Sequence, residues 1–91
     1  MEATDAVRMF AALGQETRLA AFRRLEQAGK DGIASGDIAR ELDVPHNTLS
    51  NHLSILVNAG LATSERRSRS IIYRIAPDSL KALTAALGAD V

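Results

Sequence analysis

The stretch from Val44 to Leu61 reads as a helix with two unlike faces, and it constrains the fold more than any other part of the chain. Leu49, Leu53 and Leu56 recur at i, i+4 and i+7, which stacks them along one side of an α-helix and demands a core to receive them. Pro45 sits where a new helix can begin but an old one cannot continue. Gly60 is a natural left-handed stop, after which Leu61 can fold back on the last turn, so the helix is expected over about His46 to Ala59. The other face is unusual. His46, Asn47, Thr48, Ser50, Asn51 and Ser54 sit off the leucine stripe, towards the N-terminal end, although Ser and Asn are weak helix formers that stability alone would not select. These short side chains both donate and accept hydrogen bonds, as the edges of bases in a DNA major groove require. An arginine-rich hairpin follows. A polar helix tip followed by a basic hairpin predicts a winged helix-turn-helix.

Charge supports that reading by its distribution rather than its sum. Eleven basic and eleven acidic residues cancel to a net charge of zero, which taken alone argues against nucleic acid. From Val44 to Ala76, however, Arg66, Arg67, Arg69 and Arg74 are accompanied by a single acid, Glu65, while the other acids collect elsewhere, as in Glu26, Asp31, Asp37, Glu41 and Asp43. The chain of 91 residues suits one domain, expected over residues 1–91, and a hydrophobic content of 46% suits a modest packed core. With no cysteine there are no disulfides, thiolate metal sites or cysteine nucleophiles. No apolar run is long enough to span a membrane, and no basic region followed by an apolar one marks the N-terminus, so a cytoplasmic location is expected.

The remaining elements follow from periodicity and punctuation. A first helix is expected over about Thr4 to Leu13, with Val7, Phe10 and Leu13 on one side, broken by Gly14. A second runs from about Gln15 to Ala28 with Leu19, Phe22 and Leu25 inward, and Lys30-Asp31-Gly32 reads as a turn. Ser35 is the expected N-cap of a short third helix that points Ile38 and Leu42 at the core, with Asp37 favourable at its positive end. Leu61 to Arg67 and Ser70 to Ile75 read as two strands, with Ile71, Tyr73 and Ile75 alternating on one face. A last helix is expected from about Pro77 to Leu87, with Leu80, Leu83 and Leu87 on one stripe. The fold class is therefore mainly α (α+β): about five helices plus a two-stranded β-hairpin wing. One small core cannot cover the stripes of both the first and the last helix. Val7, Phe10, Leu80, Leu83 and Leu87 are accordingly the expected interface of a homodimer.

With these motifs in order, the chain resembles the ArsR/SmtB family of bacterial transcriptional repressors. Leu13-Gly14-Gln15-Glu16-Thr17-Arg18-Leu19 looks like the family's early helix signature. Asp37-Ile38-Ala39 to Leu42, then Thr48 to Leu56, looks like its helix-turn-helix. Ala59-Gly60-Leu61-Ala62, then Arg67-Ser68-Arg69 and Tyr73, looks like its wing. The resemblance covers nearly the whole chain and implies a winged-helix dimer that binds DNA. The departures are equally specific. The family's arsenic sensors carry a Cys-x-Cys pair where Ala34 and Gly36 stand here. Its zinc sensors carry an Asp-x-His pair on the last helix, where Asp78 is followed by Leu80 and no His. Neither usual metal site is therefore expected, and no cofactor. The wing turn commonly has Gly where this chain has Ser68.

Each signal has a plainer reading. A polar helix face is often only solvated; with the wing and the element order beside it, His46, Asn47, Thr48, Ser50 and Asn51 are the expected base-reading residues. Asn can pair with adenine through two hydrogen bonds, and Thr can touch a thymine methyl. Charge runs often only solubilise a turn. Here Arg67 and Arg69 are expected on phosphate, with Arg66 and Ser54 as further candidates, and Arg66 and Arg74 depend on which way strand alternation turns them. His46 and His52 lie about 240° apart on a helix, so they cannot chelate one ion. His52, beside the leucine stripe, is expected to pack or hydrogen-bond. Ser50 and His52 do not face each other and no other catalytic constellation is visible, so no enzyme is expected. The expected partners are double-stranded DNA and a second copy of the chain, with an effector the sequence does not name. The rival expectation is a winged-helix protein–protein module, favoured by the zero net charge and by the lack of Lys or Arg on the polar helix.

Overall fold

The computed structural model describes residues 3–88. Helices α1 (Ala3–Leu13) and α2 (Glu16–Ala28) lead through a short 3-10 turn into strand β1 (Ile33–Ala34) and helix α3 (Ser35–Leu42). Helix α4 (His46–Asn58), strands β2 (Ala62–Arg67) and β3 (Ser70–Ile75) and helix α5 (Ser79–Ala86) follow. Five helices and a hairpin in this order make the expected winged helix-turn-helix. The sheet, however, has three antiparallel strands in the order β1-β3-β2 rather than two. Strand β1 escapes sequence reading because two residues carry no alternation; pairing of Ile33 with Tyr73 and Ala34 with Ile72 creates it. Gly32 permits the approach. It has φ +74°, and a Cβ there would meet the Tyr73 carbonyl oxygen at 2.8 Å and the Ile72 side chain at 2.7 Å.

The core is the leucine stripe and what covers it. Leu49, Leu53 and Leu56 are fully buried against Phe22 and Leu25 of α2, Ile38 of α3, Met9 of α1 and Tyr73 of β3. Helix α4 ends as its sequence dictates. Gly60 has φ +82° and donates to the Val57 carbonyl at 3.0 Å, and the Leu61 amide donates to Leu56 at 2.9 Å, which buries Leu61 completely. At the other end, Asp43 in a left-handed conformation (φ +54°) closes α3, the Val44 amide returns to the Ala39 carbonyl at 3.0 Å, and Pro45 opens α4. A three-residue turn, Asp43-Val44-Pro45, thus sets the angle between α3 and α4.

Several local expectations are corrected. Helix α2 begins at Glu16, with the Gln15 side chain accepting from the Arg18 amide at 2.9 Å, and Leu19 is 40% exposed while Ala21 takes an inward position. Ser35 is not the N-cap of α3: Ala34 is, with no side-chain cap, and Ser35 is a buried first-turn residue. Helix α5 starts at Ser79, behind a left-handed Asp78, and not at Pro77. On α1, Met9 and Ala12 are the buried residues, whereas Val7 is 66% exposed and Phe10 and Leu13 are half-buried. On α5 the expected single stripe divides: Leu83 enters the core, while Leu80 and Leu87 remain exposed. Among the described residues, no helix is long and apolar enough to cross a membrane.

Candidate nucleic-acid interface

Helix α4 owes its outward polar strip to the burial of its leucines. Asn47, Ser50, Asn51 and Ser54 fall at i, i+3, i+4 and i+7, so they form one line along the helix. Asn47, Asn51 and Ser54 are exposed and Ser50 is half-buried, with exposed His46 and Thr48 at the tip. The N-terminus of α4 has no side-chain cap, because Pro45 occupies the N-cap. Its first amides therefore lack intrahelical acceptors, a favourable place for an anion such as phosphate. The strip thus carries Asn47, Ser50 and Asn51, and the tip of α4 adds His46 and Thr48, among the residues expected to read bases.

Two histidine contacts hold α4 in place. His46 Nε2 lies 3.0 Å from the buried Ser35 hydroxyl, joining the first residue of α4 to the first of α3. Six residues on, His52 Nδ1 lies 3.2 Å from the Arg18 guanidinium, which also donates through Nε to the Ala12 carbonyl at 2.6 Å. A guanidinium has no acceptor, so His52 receives this hydrogen bond. His52 is thus the hydrogen-bonding residue expected, and Arg18 links α1, α2 and α4. The other ties of the region are exposed ion pairs: Arg24 with Glu41 at 2.6 Å between α2 and α3, and Arg40 with Asp37 within α3. The Arg24 hydrogen bond holds the Glu41 carboxyl below the usual carboxylate range.

The wing is a hairpin whose two-residue turn is Ser68-Arg69, with Arg67 paired to Ser70. Ser68 adopts φ +57°, the conformation that the glycine common at this position would favour. Pairing of Glu65 with Ile72 and of Arg66 with Ile71 resolves the strand faces. Thr63, Glu65, Arg67 and Arg74 share one face, while Arg66 shares the other with Ser64 and Tyr73. The arginines are less free of acids than their count suggests. Glu65 accepts from Arg74 at 2.9 Å and lies 3.5 Å from Arg67, and the Arg74 hydrogen bond, then the Arg67 charge, hold its carboxyl below the usual range. Arg74 also donates to the Lys30 carbonyl at 2.8 Å, so it braces the hairpin. Arg66 and Arg69 are exposed and form no ion pair among the described residues.

Away from these residues in sequence, α1 packs against α5 and leaves an apolar concavity of about 600 Å³ lined by Ala3, Ala6, Val7, Phe10, Ala82, Ala85 and Ala86. Exposed Leu80 and Leu87 lie on the same terminal helix or its end. Of the five expected interface residues, Leu83 is spent on the protomer's own core. Sequence reading missed Ser35, Arg18 and Glu65 as partners. Ser35 looked like a cap, and an arginine or a lone acid carries no local sign of a partner distant in the chain. Among the described residues no cluster of three or more metal-ligating side chains occurs.

Comparison with known proteins gives concordant results. Residues 13–65 match the model of a family described as a helix-turn-helix domain. YceK of Bacillus subtilis, an HTH-type transcriptional regulator, is 30% identical over 73 residues, covering 80% of this chain and 72% of that protein. The biofilm growth-associated repressor of Agrobacterium fabrum is 36% identical over 52 residues, covering 57% of this chain but only 44% of the relative. A homodimeric winged helix-turn-helix DNA-binding domain from Mycobacterium bovis, described as that of a possible ArsR-family regulator, superposes with a TM-score of 0.78 at 27% identity, covering 94% of this chain and 77% of that one.

Proposed function

The chain belongs to the helix-turn-helix domain family as an ArsR-like winged-helix transcriptional regulator, and from that premise we propose that it is a homodimeric repressor of an inverted-repeat operator in double-stranded DNA. The observation that carries this reading is the polar strip on α4, held outward by the leucines beneath it. His46, Asn47, Thr48, Ser50 and Asn51 read base edges, and the uncapped tip of α4 takes a phosphate. The strip has no cation of its own, so Arg69, Arg66 and Arg67 of the wing, with Ser54, supply the backbone contacts.

The dimer forms through exposed Val7, Leu80 and Leu87 together with half-buried Phe10. The Mycobacterium bovis domain's description as a homodimer supports this. A two-fold axis sets the half-sites about one helical turn apart, near 34–36 Å. The Agrobacterium repressor, similar over about half of this chain, supports repression as the outcome. Such a protein works in the cytoplasm, catalyses no reaction, and holds no metal at the positions of Ala34, Gly36, Asp78 and Leu80; zinc should leave its DNA affinity unchanged.

The test is fluorescence anisotropy on DNA from the protein's own upstream region, against scrambled duplex, at several salt concentrations. Selective, salt-sensitive binding of two protomers per site is the expected result. A second reading, a winged-helix protein–protein module, draws on the zero net charge and on Glu65 occupying two wing arginines. Absence of any DNA retardation at low salt would favour it.

A further inference from the structure

A serine at the start of a helix usually gives its hydroxyl to the helix's own first amides. In α3 it does not. The cap position holds Ala34, which has no side-chain acceptor, so the helix forgoes a capping side chain. Ser35, one position further on, is buried, and its hydroxyl shares a hydrogen bond with His46 Nε2 at 3.0 Å. The hydroxyl is thus turned away from stabilising its own helix and towards the first residue of α4.

This contact has a directional consequence. His46 is an exposed residue at the tip of α4, beside Asn47 and Thr48, and its Nδ1 makes no hydrogen bond among the described residues. One ring nitrogen is held from within, and the other is left for a partner outside. The hydrogen bond made by one imidazole nitrogen decides the state and orientation of the other. A hydroxyl can donate or accept, so it orients the ring with either tautomer and sets its direction rather than its protonation. The Ser35 end of the contact is rigid, because it belongs to the short segment where β1, paired to β3, turns into α3. The charged groups about this junction are Asp43 in the turn and Arg40, which is paired with Asp37; neither Arg40 nor Asp43 hydrogen-bonds His46.

We propose that Ser35 is a positioning residue for sequence recognition: buried beneath α4, it fixes the His46 imidazole so that Nδ1 is presented to DNA in one orientation. This inference rests on the DNA-reading function proposed above. Ser35 would then shape the preferred base pair without touching the duplex.

The experiment measures binding of the parent, Ser35→Ala, Ser35→Thr, His46→Ala and the Ser35→Ala/His46→Ala double variant. The probes are the best-bound duplex, its single-base-pair variants and a scrambled duplex, with thermal melting of each protein alongside. Loss of one orienting hydrogen bond predicts that Ser35→Ala lowers the preference for the best duplex about 3- to 10-fold. The loss should concentrate at one base pair, be restored by Ser35→Thr, and vanish when His46 is already Ala. If Ser35→Ala does not fold, Ser35→Cys keeps the volume, weakens the hydrogen bond and carries the same comparison. Unchanged preference in a folded variant, equal weakening on all duplexes, or a full effect in the His46→Ala background would overturn the proposal. A parent that discriminates between no duplexes would instead remove the DNA-reading premise, and this inference with it.

Discussion

The Arg18 guanidinium sits 3.2 Å from His52 Nδ1 while its Nε donates to the carbonyl of Ala12, so one side chain of α2 holds the end of α1 and the middle of α4 together. The helix that carries the polar strip is thereby tied to the helix that carries the exposed apolar face. Arg18→Ala should destabilise the fold by about 1–3 kcal/mol, because it leaves a carbonyl and an imidazole without their donor. Arg18→Lys should recover only part of this, since an ammonium lacks the planar fork that reaches both acceptors. Urea denaturation of the three proteins measures it, and equal midpoints would show that the tie is not structural.

Glu65 restrains the wing. Glu65→Gln removes the ion-pair partner of Arg67 and Arg74, and is expected to tighten binding to any duplex several-fold and to steepen the salt dependence. The sign with pH follows from the depressed carboxyl. The ion pairs contribute fully above the ordinary carboxylate range, and the contribution is lost as pH falls through the lowered folded value. Wing restraint in the parent should therefore be flat from neutral pH down through mild acid. Anisotropy at several pH and salt values, parent against Glu65→Gln, provides the check.

Base-reading and phosphate-binding residues should separate in their signatures. Asn51→Ala should cost about 1–3 kcal/mol of discrimination at one base pair and leave the salt slope alone. Arg69→Ala should weaken all sequences alike and lower that slope by about 1. Binding isotherms on matched and mismatched duplexes at several salt concentrations distinguish the two. Identical behaviour of both variants would contradict the assignment of roles.

The apolar residues of α1 and α5 should also divide into two classes. Leu83 lies in the protomer's core, and Leu83→Ala should destabilise by about 2–5 kcal/mol. Val7 and Leu87, 66% and 70% exposed, contribute little to the fold, yet Val7→Glu or Leu87→Glu should convert a dimer into folded monomers. Sedimentation velocity with circular dichroism reads both effects. Dimers that survive both charged substitutions would place the interface elsewhere.

Gly32→Ala tests the third strand. The added Cβ would meet the Tyr73 carbonyl oxygen at 2.8 Å and would sit on a backbone with φ +74°. A loss of about 2 kcal/mol or more is expected from strain and overlap together. Thermal melting gives the answer, and an unchanged midpoint would mean that β1 is dispensable.

Much of this protein is determined locally and is legible in the sequence alone. The spacing of Leu49, Leu53 and Leu56 fixes the buried side of α4, and with it the outward side of Asn47, Ser50, Asn51 and Ser54, because 3.6 residues per turn leave no other arrangement. Pro45 and Gly60 set its ends by backbone sterics, and the order of helices and hairpin followed from similar punctuation. The tertiary structure decided what depends on pairs distant in the chain. Strand β1 exists only because Ile33 and Ala34 meet β3. Leu83 rather than Leu80 or Leu87 enters the core because α1 covers only part of the α5 stripe. The partners of Ser35, Arg18 and Glu65 followed from where other elements came to rest. A hydroxyl, a guanidinium or a carboxylate has no intrinsic preference among the acceptors and donors a fold can offer it, so its role is settled only when packing brings one within reach.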